Sequence, residues 1–152
     1  MPRIATKYFG SMQYREEDVV HFPFGFPAFE EELQFLAIER AECTPLRFLQ
    51  SVRQPGLCFL ALPILIIDPD YQLAMTTEDI ESLQFDGSRQ PAIGAEIECL
   101  AILVSPAEGP PTANLLAPIV INRANRIGLQ AIRSDSVYSH QHSLASLADV
   151  CS

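Results

Sequence analysis

The sequence has no tryptophan and a single lysine, Lys7, among its 152 residues. Lysine and arginine together number 10, against 19 aspartates and glutamates, so the formal net charge is −9. Proteins that bind nucleic acid directly neutralise its phosphates with clustered basic side chains. The shortage of bases therefore argues against direct contact with RNA or DNA, and the excess of negative charge favours a monomer.

Long apolar runs are missing as well. The longest, Leu57 to Ile67, is interrupted by Pro63 and falls short of the roughly 20 residues that a membrane-spanning helix needs. The first residues, Met1 to Ile4, contain no apolar segment of the kind found in a secretory signal peptide. We therefore expect a cytoplasmic protein that makes no contact with a membrane.

Clusters of metal-binding or catalytic residues are hard to find. The four cysteines, at positions 43, 58, 99 and 151, show no Cys-x-x-Cys spacing, and the seven glycines are scattered. This argues against a structural metal, a disulfide and a phosphate-binding loop, and we expect no cofactor. Neither the histidines, His21, His140 and His142, nor the acids on either side of Pro69 suggest converged catalytic groups, so an enzyme is not expected.

What is present predicts a mainly β protein. Hydrophobic residues make up 48% of the chain and charged residues 19%, which is typical of a globular domain. Many short alternating or apolar segments are separated by Gly and Pro turns, and they include Leu57–Leu62, Ile64–Ile67 and the segment 112–122. One short helix is expected after Thr76 or Thr77, with Ile80 and Leu83 on its buried side. The pattern favours a compact β-barrel-like single domain or a strongly bent sandwich.

Charge is distributed unevenly along the chain. Between Gln54 and Ser88 there are six acids and no base, whereas between Gly109 and Ser134 there are three arginines and no acid. A solvated acidic face can serve solubility alone. It can also steer a basic partner, and for that role the candidate side chains are Asp68, Asp70, Glu78, Asp79 and Glu81.

Four segments, in order, carry a resemblance to a known family. They are the loop Phe22-Pro23-Phe24-Gly25-Phe26-Pro27-Ala28-Phe29-Glu30, the segment Phe48-Leu49-Gln50-Ser51-Val52, the turn Asp68-Pro69-Asp70-Tyr71, and the run Thr112-Ala113-Asn114-Leu115-Leu116-Ala117-Pro118-Ile119-Val120-Ile121-Asn122. Together they closely resemble the flagellar assembly factor FliW family. Two departures are Ala28, where the family usually has glycine, and an altered His-containing end at Ser139-His140-Gln141-His142.

The resemblance implies a function as well as a compact β-barrel-like fold. FliW-family proteins are implied to be non-enzymatic regulators that bind flagellin and the translational repressor CsrA in a partner switch. Binding to CsrA relieves its repression of flagellin translation. On this basis residues 1–139 form the FliW-like β-barrel domain. The chain after Tyr138 is rich in Ser, His and Ala, so residues 140–152 are expected to be a flexible C-terminal tail.

Some alternatives stay open at this stage. A chaperone-type protein that binds flagellin alone, and a small-ligand-binding β-barrel enzyme with a pocket around His21 or the Asp68/Asp70 pair, are the two other classes. Tyr71, Thr112 and Asn114, from the matched segments, join the acids as candidate partner contacts. For Thr112 and Asn114 we favour the structural alternative, in which their side chains cap backbone groups of the loop.

Overall fold

Short antiparallel strands dominate residues 2–145, which are the residues that the computed structural model of this chain describes. The strands are β1 (Arg3–Thr6), β2 (Gly10–Gln13), β3 (Val19–His21), β4 (Gln34–Ile38), β5 (Arg47–Ser51), β6 (Cys58–Pro63), β7 (Ile97–Val104), β8 (Thr112–Ala113), β9 (Ile119–Asn122), β10 (Gly128–Gln130) and β11 (His142–Ser143). Two short α-helices are α1 (Ile64–Ile67) and α2 (Thr77–Ser82), and two 3-10 turns cover Glu16–Asp18 and Ala41–Cys43. The predicted mainly β single domain is confirmed.

The strands form a large sheet and a separate hairpin. The order along the large sheet is β10-β9-β7-β6-β5-β4-β3, while β8 pairs with β7 and β11 pairs with β8. Strands β1 and β2 form the hairpin. Between the edge strands β3 and β10 the described residues form no ladder, but an isolated bridge joins His21 to Ile127, where the His21 amide donates to the Arg126 carbonyl at 2.9 Å. Within the described residues the sheet is thus barrel-like but does not close into a barrel.

The large sheet buries apolar side chains on both faces. Ile119 and Ile121 of β9 belong to one core cluster, with Phe22 and Phe35, whereas Val120 between them belongs to another. All three β9 residues are fully buried. The prediction that this strand is apolar because it is buried on both sides is confirmed.

Two apolar segments differ from the sequence-based expectation. Ile64–Ile67, expected as a strand, is a single turn of helix, closed by the Asp68 amide donating to the Ile64 carbonyl at 3.0 Å. The matched run 112–122 is two strands separated by a turn rather than one. A run of four apolar residues has the same composition whether it forms a strand or a helical turn. The turn that divides the run 112–122 depends on hydrogen bonds to the Asn114 side chain.

The described part of the expected tail is docked onto the sheet. His142 and Ser143 pair with Ala113 and Thr112, and the Leu144 amide donates to the Pro111 carbonyl at 2.9 Å. The Leu144 side chain is only 3% exposed and joins the core cluster of α2 and β7. Residues 140–145 therefore differ from the expected flexible tail, because Leu144 gains burial there. Residues 146–152 lie outside the described part of the chain.

Candidate partner-binding surface

The acidic stretch begins with a tight turn directly after α1. The Asp68 carboxylate accepts a hydrogen bond from the Asp70 amide at 2.9 Å, and the Asp68 carbonyl accepts one from the Tyr71 amide at 3.0 Å. This is the local side-chain pairing that makes Asp-Pro sequences favourable in turns. Asp70 is exposed, so its carboxylate is directed toward solvent.

Tyr71, a predicted contact residue, lies in the core. Its side chain is 5% exposed, its hydroxyl donates to the Leu115 carbonyl at 2.9 Å, and its ring centroid is 4.4 Å from that of Tyr138. Burial raises the pKa of Tyr71 to about 12, against the opposing effect of the neighbouring Arg133. Tyr71 thus fastens the acidic turn to the matched run, and its buried ring is not available to a partner.

Helix α2 carries the other predicted acids. It begins after Thr76, whose hydroxyl accepts a hydrogen bond from the Asp79 amide at 3.1 Å, as expected for an N-cap residue. Ile80 and Leu83 are buried beneath the helix, while Glu78 and Glu81 are exposed. Asp79 is partly buried, and this burial raises the pKa of its carboxyl group.

The predicted acids belong to the carboxylates of residues 2–145 that form no salt bridge, whereas several others have a basic partner. Glu96 pairs with Arg89 at 2.8 Å, Glu32 with Arg53 at 2.7 Å, and Asp135 with Arg133 at 2.9 Å. Among residues 2–145, no salt bridge involves any of Asp68, Asp70, Glu78, Asp79 and Glu81. Their charge is therefore available to act on an approaching molecule. We call Asp68, Asp70, Glu78 and Glu81 the acidic surface.

Thr112 and Asn114 lie on the other side of the Tyr71 contact. Thr112 pairs with Val104 and Ser143 in the sheet. The Asn114 side-chain oxygen accepts hydrogen bonds from the Leu116 and Ala117 amides at 3.1 and 3.0 Å. For Asn114 these bonds match the favoured structural role, because they make the turn between β8 and β9.

Sequence reasoning missed the apolar side chains beside the acidic turn. Leu65 and Ile66 of α1 are 38% and 40% exposed, and only Ile67 separates them from Asp68. The only available signal was the length of the apolar run, which predicts burial rather than exposure. Their position places exposed apolar area next to the acidic turn. Protein interfaces commonly combine an apolar centre with a charged rim.

Residues 2–145 contain no group of three or more histidine, cysteine or acidic side chains arranged to hold a metal ion. The same range contains no helix with the length and apolar character required to cross a bilayer. His21 and His140 are exposed and His142 is partly buried.

Comparisons with known proteins complete the picture of the site. The family model described as "FliW protein" matches residues 3–144. The chain belongs to the FliW family. The flagellar assembly factor FliW of Geobacillus kaustophilus (strain HTA426) is 37% identical over 142 residues, covering 93% of this chain and 94% of that protein. The protein of the same name from Bacillus subtilis (strain 168) is 34% identical over 139 residues, covering 91% and 94%.

A solved FliW structure agrees with the fold. A crystal structure of the flagellar assembly factor FliW superposes with a TM-score of 0.80 at 37% identity, covering 94% of this chain and 96% of that one. The matched range ends at Leu144 and so includes β11, in keeping with its place in the sheet. The resemblance read from the sequence is confirmed.

Proposed function

We propose that this protein is a cytoplasmic, non-enzymatic flagellar assembly factor that binds CsrA and relieves its repression of flagellin translation. It also binds flagellin, so that the two partners compete for it in a partner switch. Free flagellin occupies the factor, CsrA is released, and flagellin synthesis falls. Secretion of flagellin returns the factor to CsrA.

Family membership over residues 3–144 supports the role in flagellar assembly. The observation that carries the choice of CsrA as partner is the acidic surface without basic partners. A repressor that grips RNA must present basic side chains, because RNA binding is dominated by its phosphates. A surface of uncompensated carboxylates attracts such a protein and repels the RNA that competes for it.

The positions of the predicted contacts refine this proposal. Asp70, Glu78 and Glu81 are exposed, and Leu65 and Ile66 add apolar area beside them. We assign these side chains to the CsrA contact. Tyr71 and Asn114 hold the turns that present them and serve the contact indirectly, through the Leu115 and Leu116 backbone.

A pull-down in defined components tests the proposal. Tagged CsrA and flagellin are each mixed with the purified protein, and then both are offered together. We expect each to bind alone, and added flagellin to displace CsrA in proportion to its concentration. Binding to flagellin without binding to CsrA would overturn the proposal in favour of a flagellin-only chaperone.

A further inference from the structure

A second surface lies on the other side of α2, in a groove between that helix, the Phe22–Phe29 loop and the segment after β10. Phe24, Leu129, Gln130 and Ile132 line it, together with the acids Glu30 and Asp79. Phe24 is 61% exposed and Ile132 57% exposed. Two large apolar side chains thus face solvent across an open groove.

The packing and backbone conformation of the loop direct Phe24 toward solvent. Phe22 and Phe26 on either side are buried, with ring centroids 4.7 Å apart. Between them Gly25 has a φ of +60°, and an added Cβ there would lie 2.6 Å from the Phe29 carbonyl oxygen. Because the backbone is fixed at its neighbours, the Phe24 ring is presented at little conformational cost, as binding anchors usually are.

Ile132 is held outward by the same kind of alternation. The amides of Ala131 and Arg133 donate to the Pro118 and Leu116 carbonyls at 2.8 and 3.0 Å. Ala131 and Arg133 are both buried. Ile132 lies between them and must therefore project away from the core. Its exposure is set by the extended backbone on both sides.

The groove also contains a charge without a partner. Asp79 is partly buried at its wall and has no basic partner in the described chain, and Glu30 is the other charged residue of the lining. Burial raises the pKa of the Asp79 carboxyl group, so ionising it here is costly until a cation arrives. Residues 146–152 include Asp149 and no base, so that segment does not supply the missing charge.

We propose that this groove binds a basic amphipathic segment of a partner protein. One large apolar side chain of that segment lies between Phe24 and Ile132, and an adjacent lysine or arginine pairs with Asp79. The inference goes beyond the proposed function and does not depend on it, because it concerns a separate surface and can be tested with a synthetic ligand. A second copy of this chain is the less favourable occupant, since each copy carries a net charge of −9.

The probe is a fluorescent amphipathic peptide with leucines at helical spacing and lysines beside them, followed by anisotropy titration at physiological ionic strength. The groove variants are Phe24→Ala, Ile132→Ala and Asp79→Asn. Matched controls are Val137→Ala, which truncates a side chain that is 71% exposed elsewhere, and Glu108→Gln, which removes an exposed charge outside the groove and the acidic surface.

We expect each groove variant to weaken binding by about tenfold and each control to change it less than about twofold. Circular dichroism checks that the variants remain folded. Equal effects of Asp79→Asn and Glu108→Gln would overturn the proposal, because they would indicate general attraction to an acidic protein. Unchanged binding by Phe24→Ala would also overturn it, as would sedimentation of the unmutated protein as a dimer that Phe24→Ala dissociates. None of these results bears on the pull-down with CsrA, so the two proposals fail separately.

Discussion

Single residues of this chain determine the shape of its turns and the start of a helix. Asn114 makes the turn between β8 and β9, Tyr71 ties that turn to the acidic stretch, and Thr76 caps α2. Each does so through one or two hydrogen bonds to backbone groups that would otherwise be unpaired. The matched segments of the sequence are therefore rich in residues that shape turns.

Ala28 is the residue whose conformation fits its identity least well. It follows Pro27 in a turn closed by the Phe29 amide donating to the Phe26 carbonyl at 2.8 Å, and its φ is +71°. Proline followed by a residue with positive φ is the pattern of a type II turn, which favours glycine. Glycine is therefore the residue that this backbone conformation favours at position 28.

We predict that Ala28→Gly raises the free energy of unfolding by up to about 1 kcal/mol. The left-handed conformation costs an L-residue roughly 1–2 kcal/mol, of which the greater freedom of glycine in the unfolded chain removes part. Urea denaturation measures the change. The control is Ala95→Gly, at an exposed position without positive φ, which should lower stability slightly. A decrease for both variants would contradict the assigned backbone conformation.

At the scale of whole elements, periodicity predicted more than it missed. Helix α2 was foreseen from its cap, its acids and the Ile80–Leu83 spacing, and β9 from its apolar residues on both faces. The helical turn at Ile64–Ile67 was missed because four apolar residues show no period. Strand β11 was missed because pairing of only two residues, His142 and Ser143, depends on where β8 lies in space.

The docking of β11 leads to a stability prediction. Leu144→Ala should lower the free energy of unfolding by about 2–5 kcal/mol, the usual cost of truncating a buried leucine. Val137→Ala, at an exposed site nearby in sequence, should change it by less than about 0.5 kcal/mol. Chemical denaturation of both variants compares them directly. If Leu144→Ala were as mild as Val137→Ala, the segment from His140 would be a dispensable tail after all.

Across the described part of the molecule, the three arginines between Gly109 and Ser134 bond to other residues of the fold, whereas the acidic surface has no basic partner. Arg133 pairs with Asp135 and also bonds the Gln72 carbonyl, and Arg126 lies 3.8 Å from Glu98. The arginines of the segment 109–134 therefore stabilise the fold, whereas the carboxylates of the acidic surface have no basic partner. The sequence reveals the two blocks of charge. Only the structure shows which charged side chains have a partner within the fold and which do not.

The candidate contacts could be predicted only in part, because sequence patterns indicate some exposed side chains but not every buried one. Exposed carboxylates such as Asp70 and Glu81 follow from turn chemistry and helix periodicity. The burial of Tyr71 does not, since a tyrosine after a Pro-Asp turn is compatible with either environment. The exposure of Phe24 depends on the burial of Phe22 and Phe26, whose rings pack against Phe35 of β4, a contact that the loop sequence alone does not reveal.

The central claim is that the acidic surface steers CsrA, and its most direct test is the rate of association. In the test variant Asp70, Glu78 and Glu81 are replaced by lysine. In the control variant Glu16, Glu17 and Glu108, which are also exposed, are replaced by lysine, so that both proteins change net charge equally. Stopped-flow association with CsrA at two ionic strengths, with circular dichroism for folding, isolates the position of the charge from its amount.

We predict that the test variant associates about tenfold more slowly at low ionic strength and loses most of its salt dependence, because long-range attraction acts mainly on the encounter rate. The control variant should retain most of the rate and of its dependence on salt. Equal slowing of both folded variants, or no slowing of the test variant, would contradict the account and leave these carboxylates as a means of solubility.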